Sequence, residues 1–311
     1  MLLMVHYLQG SMTPNRSWHV IGIACRSAQA LGLHSSVGDR HRSFAEIQIR
    51  RRVWHGCVML DLAASTILGR PVMISQKPVT PRPEAIDDHY LMVDDPSSRQ
   101  SPGVFSLVSW FVETLKLHEI LRRILLTLYD NAALIEPERT EDHWKTRSVP
   151  DIRTIAEIDA ELQNFTDGLP DALKWDAPIQ NVGNESFPRE RLLLKARFSY
   201  LKLLLYRPVL SQMLRDNKSP ENHQGDHHRG IYAKYSLDCS VYCAMAAMDL
   251  VDLVHQTCTT ELSSVWFYNL FYTFTAGSVI LLAELSPPIV NAVTKRAIDE
   301  EVFSKHFDDQ V

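Results

Sequence analysis

Residues 17–34 read SWHVIGIACRSAQALGLH and residues 44–74 read FAEIQIRRRVWHGCVMLDLAASTILGRPVMI, and this pair of segments decides the fold. In the first, Trp18, Ile21, Cys25 and Ala28 recur at the three- and four-residue spacing that lines one face of an α-helix. That spacing predicts a helix from about Arg16 to Leu31, closed by Gly32 in the left-handed conformation with Leu33 as its apolar follower. In the second, Ser43 and Glu46 fit the S-x-x-E box that opens a helix by reciprocal capping. Val53, Cys57, Leu60, Ala64 and Ile67 are expected as its buried stripe, with Gly69-Arg70-Pro71 as its stop. Glu46 stands four residues before Arg50, the favourable order for a helical ion pair.

The rest of the composition narrows the function classes. The chain has 311 residues, 45% hydrophobic and 22% charged, which is an ordinary globular balance. A net charge of −5 supplies no whole-chain field for nucleic acid, so no direct DNA binding is expected from this chain alone. Its five cysteines, Cys25, Cys57, Cys239, Cys243 and Cys258, include no C-x-x-C pair, so no zinc cluster or thioredoxin-like site is written here. Reduced thiols beside a helical core, in a reducing compartment, are the expectation. The opening MLLMVHYLQGSM lacks a basic leader region and reads as the last turns of a helix, so the chain is expected to start inside a fold.

Beyond the helix pair, residues 71–103 carry Pro71, Pro78, Pro81, Pro83, Pro96 and Pro102, the composition of a long loop. Helical patterns follow over residues 104–133, 151–165, 189–214, 235–258 and 265–285, with a short last helix after Pro287-Pro288. No run alternates apolar and polar residues long enough for a sheet. The fold class is therefore all-α: a single large helical domain with long proline-rich loops.

Several side-chain groups invite a functional reading, each with a plainer alternative. The segment VWFYNLFYTFTAGSVILLA, Val265 to Ala283, approaches the length of a membrane span, but no Lys or Arg cluster adjoins it, so burial in the domain is preferred and no membrane is expected. Its Trp266, Tyr268, Phe271 and Tyr272 could wall a cavity for a small-molecule effector; core packing is the plainer reading. Arg50, Arg51 and Arg52 point about 100° apart on a helix, so they read as structural or solvated, with one pairing Glu46 and another reaching Asp61 or a neighbouring helix. His223, His227 and His228 fall in the polar segment SPENHQGDHHRG, where Pro220 and Gly225 oppose the helix that metal spacing would need. Asp87-Asp88 and Asp94-Asp95 lack the further acid that would complete a magnesium site. No G-x-S-x-G elbow, H-E-x-x-H helix or glycine-rich phosphate loop is present, so no catalytic residue is assigned.

Taken together, Trp18, Gly22, Ala24, Arg26, Ala28 and the LGLH of Leu31 to His34 resemble the fungal-specific transcription factor domain, the middle region of binuclear zinc-cluster regulators. The resemblance continues through Glu46, Arg50 to Arg52, Trp54, Asp61, Ser65 and Gly69-Arg70-Pro71, so the most specific block spans residues 7–83. EIDAEL at 157–162, LPDALKW at 169–175, LYRP at 205–208 and CSVYCAMAAMDL at 239–250 extend it over nearly the whole chain. It implies a structural hallmark set of Trp18, Gly22, Arg26, Gly32, Arg50, Arg51, Arg52, Trp54, Asp61, Gly69, Arg70 and Pro71. It also implies a nuclear regulator whose zinc belongs to a six-cysteine cluster absent here, that is, a domain (1–311) truncated at its N-terminus. Partners implied are a homo- or heterodimer with zinc-cluster factors and a small-molecule effector. The alternatives are a stand-alone dimerisation module that modulates a full-length factor and, below it, an all-α enzyme.

Overall fold

The computed structural model describes residues 1–11, 13–74, 79–91, 100–101, 104–129, 151–176, 187–216 and 228–308; for 228, 229, 231, 297 and 299–308 this is backbone only. Every regular element among them is helical: α1 (Leu2–Gly10), α2 (Pro14–Ala30), α3 (Phe44–Leu68), α4 (Asp88–Leu91), α5 (Ser109–Ile124), α6 (Ile152–Asp167), α7 (Pro188–Asp216), α8 (His228–Thr257), α9 (Trp266–Glu284) and α10 (Pro287–Asp308). Short 3₁₀ turns occupy Asp39–His41 and Asp171–Leu173, and a π-type turn Leu125–Tyr129 follows α5. The protein is all-α.

Helix boundaries follow their local chemistry. Gly32 takes φ +67°, the Leu33 N–H returns to the Ala28 carbonyl at 3.0 Å, and the Gly32 N–H to that of Gln29 at 2.9 Å. That is the Schellman closure, and buried Leu33 seals it. Ser43 Oγ accepts the Glu46 N–H at 3.2 Å and caps α3. Gly69, at φ +62°, ends the same helix. Helix α5 begins at Ser109, five residues later than the sequence pattern suggests, and α8 begins seven residues earlier.

The chain divides into two compact units. The first comprises residues 1–122, 168–194 and 265–268. Its core is Val5 from α1, Ile21, Ala24, Cys25 and Ala28 from α2, and Trp54, Cys57, Leu60 and Ala64 from α3. Val53, expected inside, is 36% exposed, because Trp54 takes the inward position on that turn.

The second unit comprises residues 123–167, 195–264 and 269–311. Ile158 and Leu162 of α6, Leu203 and Leu210 of α7, and Cys243, Ala247 and Leu250 of α8 are buried there. Arg123 ties the start of this unit to Glu157 (2.8 Å) and Glu161 of α6. Pro208 lies inside α7, where it cannot donate to the Leu204 carbonyl one turn back. The Tyr129 hydroxyl donates to that carbonyl instead, at 2.8 Å, and the Arg207 guanidinium lies 5.2 Å over the Tyr129 ring.

Helix α9 departs from expectation. Read as a core helix, it buries one face only: Tyr272, Thr275, Ala276, Val279 and Ala283. Leu270, Phe274 and Leu281, on the opposite face, are largely exposed. Among the described residues this helix alone is long and apolar enough to cross a membrane, yet only 28% of its most apolar window is buried.

Tyr129→Phe orphans the Leu204 carbonyl and is expected to cost about 1–3 kcal/mol. Urea unfolding checks this: the midpoint should fall with the m-value unchanged.

Candidate functional site

The first unit is organised around a non-helical segment that returns along α3. After α3 stops at Gly69, the chain runs from Pro71 toward Asp88 as an extended strap, described at residues 71–74 and 79–88. Its contacts on α3 retreat as it advances. Ser65 Oγ donates to the Pro71 carbonyl at 3.3 Å. Asp61 Oδ2 accepts the N–H groups of both Met73 and Ile74, each at 2.9 Å. His55 Nε2 lies 3.1 Å from the carbonyls of Thr80 and Pro81. The Gln48 amide accepts the Glu84 N–H at 2.9 Å and donates to its carboxylate at 3.1 Å. Arg52 then holds the end of the strap through the Ile86 carbonyl and the Asp88 carboxylate, the latter at 2.5 Å. The strap thus runs antiparallel to α3, pinned at every described stretch.

The chemistry of these pins is that of buried backbone needing partners. Gln48, His55, Asp61 and Ser65 are all buried. Prolines at 71, 81 and 83 remove three donors from the strap, so its carbonyls outnumber its N–H groups, and α3 answers mostly with donors. Because His55 faces two carbonyls, its Nε2 carries the proton and donates to both. Burial holds the His55 pKa below its ordinary 6.5. Asp61 is pushed above the ordinary carboxylate range by burial, against the pull of the two N–H groups and of Arg122. Arg122, from α5, donates to the Ile74 carbonyl at 2.5 Å, so acid and base grip the backbone on either side of one residue from two helices.

Most hallmark residues serve this strap or the helix pair beneath it. A Cβ on Gly22 would stand 3.1 Å from the Met73 sulfur, so glycine lets the strap lie against α2. Arg50 donates to the Leu31 and Gly32 carbonyls at 3.4 and 3.0 Å, closing the end of α2. Arg70 stacks 4.8 Å over Trp18 and donates to Asn15, tying the end of α3 to the start of α2. Trp54 is a core side chain against the His34 ring. Arg26 is exposed on α2, and the Arg51 Nε is buried without a partner.

The expected Glu46–Arg50 pair is replaced, and of the two destinations expected for a further arginine, Asp61 or a neighbouring helix, only the helix is reached, by Arg50 at the end of α2. Glu46 pairs with Arg42 at 2.9 Å and not with Arg50, which is drawn to the carbonyls at the end of α2. Asp61 is answered by backbone N–H groups and by Arg122, and by none of Arg50, Arg51 or Arg52.

The proposed cavity residues are divided between the units: Trp266 and Tyr268 belong to the first, Phe271 and Tyr272 to the second. There Phe271 and Tyr272 each pack 5.3 Å from the Tyr200 ring. In the first unit a recess lined by Gln9, Ser17, Ala64, Leu68 and Phe267 offers about 10 Å³ to the centres of water-sized molecules, room for about one water. Asp87 accepts Ser106 Oγ (2.8 Å), the Leu107 N–H (2.9 Å) and the Gln100 amide (3.1 Å), so it acts as a loop brace. Asp94-Asp95, His223, His227 and the His228 side chain lie outside the described residues. Among those described, no three His, Cys, Asp or Glu converge as metal ligands. Cys25, Cys57, Cys239 and Cys243 are buried free thiols, and Cys258 is exposed.

Sequence reasoning missed Gln48, His55, Glu84 and Arg122. The available signal was polar side chains inside the most buried stretch of α3, directly ahead of a proline-rich segment.

Asp61→Ala leaves the Met73 and Ile74 N–H groups without their acceptor and is expected to cost roughly 2–5 kcal/mol. Hydrogen exchange should show those two amides losing protection first. His55 stays neutral in the fold below the pH at which the unfolded chain takes up its proton. Stability should therefore fall as pH drops below 6.5, and His55→Gln should flatten that slope in urea titrations between pH 7 and 5.

The description "Fungal specific transcription factor domain" matches residues 1–166. Transcription factor FBD3 of Gibberella moniliformis is 24% identical over 295 residues, covering 90% of this chain and 36% of that protein. Sorbicillinoid biosynthetic cluster transcription factor 2 of Penicillium rubens is 25% identical, over 91% of this chain and 39% of its own length. Activator of stress genes 1 of Saccharomyces cerevisiae is 28% identical over 71% of this chain and 22% of its own. The chain thus spans well under half the length of these relatives, and no solved structure matches it significantly. The matched region contains α1 to α5, the strap and its pins, and the chain belongs to the fungal-specific transcription factor domain family.

Proposed function

We propose that this chain is the helical regulatory region of a fungal zinc-cluster-type transcription regulator, acting in the nucleus and without a catalytic step. The observation that carries the reading is the match over residues 1–166, where three relatives named as transcription factors or activators align across most of the chain. In this reading DNA is read by a zinc cluster that these 311 residues do not contain, and the chain itself holds no cofactor.

The strap supports a switching role for the first unit. It is held by hydrogen bonds and by two ion pairs, Arg52 with Asp88 and Arg82 with Glu119 of α5. An effector or partner that satisfied the same α3 side chains would release the strap and draw Ile74 out of the apolar core to which it contributes. Such a ligand biases two packings of one sequence, and the exposed α3 surface becomes the output.

The test is a reporter assay in a fungal host, with the chain fused to an unrelated DNA-binding module on a promoter of intermediate strength. Output should move at least severalfold, up or down, relative to the module alone. His55→Ala, which loosens the strap, should shift it further. A fusion indistinguishable from the module alone, wild type and variant alike, would refute the regulatory reading.

A further inference from the structure

Two buried thiols meet where α2 packs on α3. Cys25 of α2 is fully buried, Cys57 of α3 is 2% exposed, and both belong to one apolar cluster with Ile21, Trp54 and Ile74. Cys25 Sγ lies 3.8 Å from the Cys57 carbonyl, and the two thiols share a hydrogen bond. The helices meet there through small buried residues, Gly22, Ala24 and Ala28 on one side and Gly56 and Ala64 on the other. Small side chains at a helix contact bring the axes together, and a disulfide requires Cα atoms only about 5.5–6 Å apart.

The strap lies against this pair. The Met73 sulfur fits against Gly22, one turn before Cys25, and Ile74 packs in the same cluster as the thiols. Asp61, one turn after Cys57, holds both strap residues by their N–H groups. Its charge also disfavours a thiolate at either cysteine. The bond between the thiols acts unequally. Cys25 keeps its proton and is pushed up, first by that bond and then by burial, while Cys57 is lowered by accepting it. Cys57 is therefore the nucleophile of the pair, and Cys25 is placed to follow it. A small reagent reaches them once Ile74 is drawn out of the cluster.

We infer that Cys25 and Cys57 are a peroxide-sensitive dithiol gated by the strap, closing to a disulfide when the strap is released. The inference rests on the strap release proposed above and adds a chemical signal to it. The Cys57 thiolate attacks hydrogen peroxide; an S–O bond forms, the O–O bond breaks, and the departing hydroxide takes a proton to become water. The Cys25 sulfur then attacks Cys57; the S–S bond forms, the S–O bond breaks, and hydroxide leaves with the Cys25 proton as a second water. Two thiols have lost two electrons and one peroxide has gained them. The new bond fixes the spacing of α2 and α3, the surfaces on which Met73 and Ile74 seat. A transient release thus becomes a lasting one, until a thiol reductant opens the disulfide.

The test uses the full chain carrying Cys258→Ser, which removes the exposed thiol. After hydrogen peroxide, quenching with N-ethylmaleimide and trypsin, mass spectrometry should find residues 17–26 joined to residues 53–99, two hydrogens lighter than the separate peptides. Cys239 and Cys243, buried on α8, should stay reduced. His55→Ala removes the bonds to the Thr80 and Pro81 carbonyls and should speed the linkage about fivefold, the effect of one lost hydrogen bond on the open population. Tyr129→Phe loosens the second unit without touching the strap and should leave the rate within about twofold. Thiols recovered unlinked overturn the inference, as does a rate equal in the parent and His55→Ala, or one raised as much by Tyr129→Phe. The two readings fail separately. An inert reporter fusion with the linked peptide present refutes regulation alone, and an active fusion without that peptide refutes the dithiol alone.

Discussion

The first unit depends on one constraint: an irregular segment lying against a buried helix must find a partner for each backbone group it takes out of water. A second helix would satisfy its own amides. The strap cannot, so α3 carries polar side chains in positions that packing alone would give to leucine. Asp61 is the centre of this arrangement because it alone receives two amides, and because Arg122 holds the carbonyl of the second of those residues. Burial penalises both charges and outweighs the opposing pull of their mutual attraction and, at Asp61, of the two amides. Removing Asp61 takes the acceptor from the Met73 and Ile74 amides, and removing Arg122 takes a donor from the Ile74 carbonyl.

The same logic recurs wherever the chain breaks a helix. Arg50 reaches the carbonyls left over at the end of α2, and Tyr129 reaches the one that Pro208 leaves open in α7. Ser65 does so for Pro71, beside the glycine that ends α3. These side chains are committed to backbone.

What the sequence disclosed was local. The Ser43 cap, the Gly32-Leu33 closure and the stop at Gly69 are each written within a few residues, and the helix pair could be read from them. The pins at Gln48 and His55 were not legible in the same way, because their partners lie 25 to 36 residues away and such a side chain carries no label for a backbone group. Arg50 shows the limit: by spacing it belonged with Glu46, yet the carbonyls of the Gly32 closure, 18 and 19 residues back, hold it instead. Local rules rank pairs within one helix and say nothing of a competing acceptor on another.

Helix α9 marks a different limit. Hydropathy summed around a helix is the same whether its second apolar face meets the core or faces outward, so the composition of Trp266 to Glu284 could not separate the two cases. Position does separate them. The buried face mixes a tyrosine and a threonine with small residues, and Tyr272 meets Tyr200 there, whereas the outer face carries the larger aliphatic side chains and Phe274. A helix that keeps Leu270, Phe274 and Leu281 on its exposed side is not simply an overlooked piece of core.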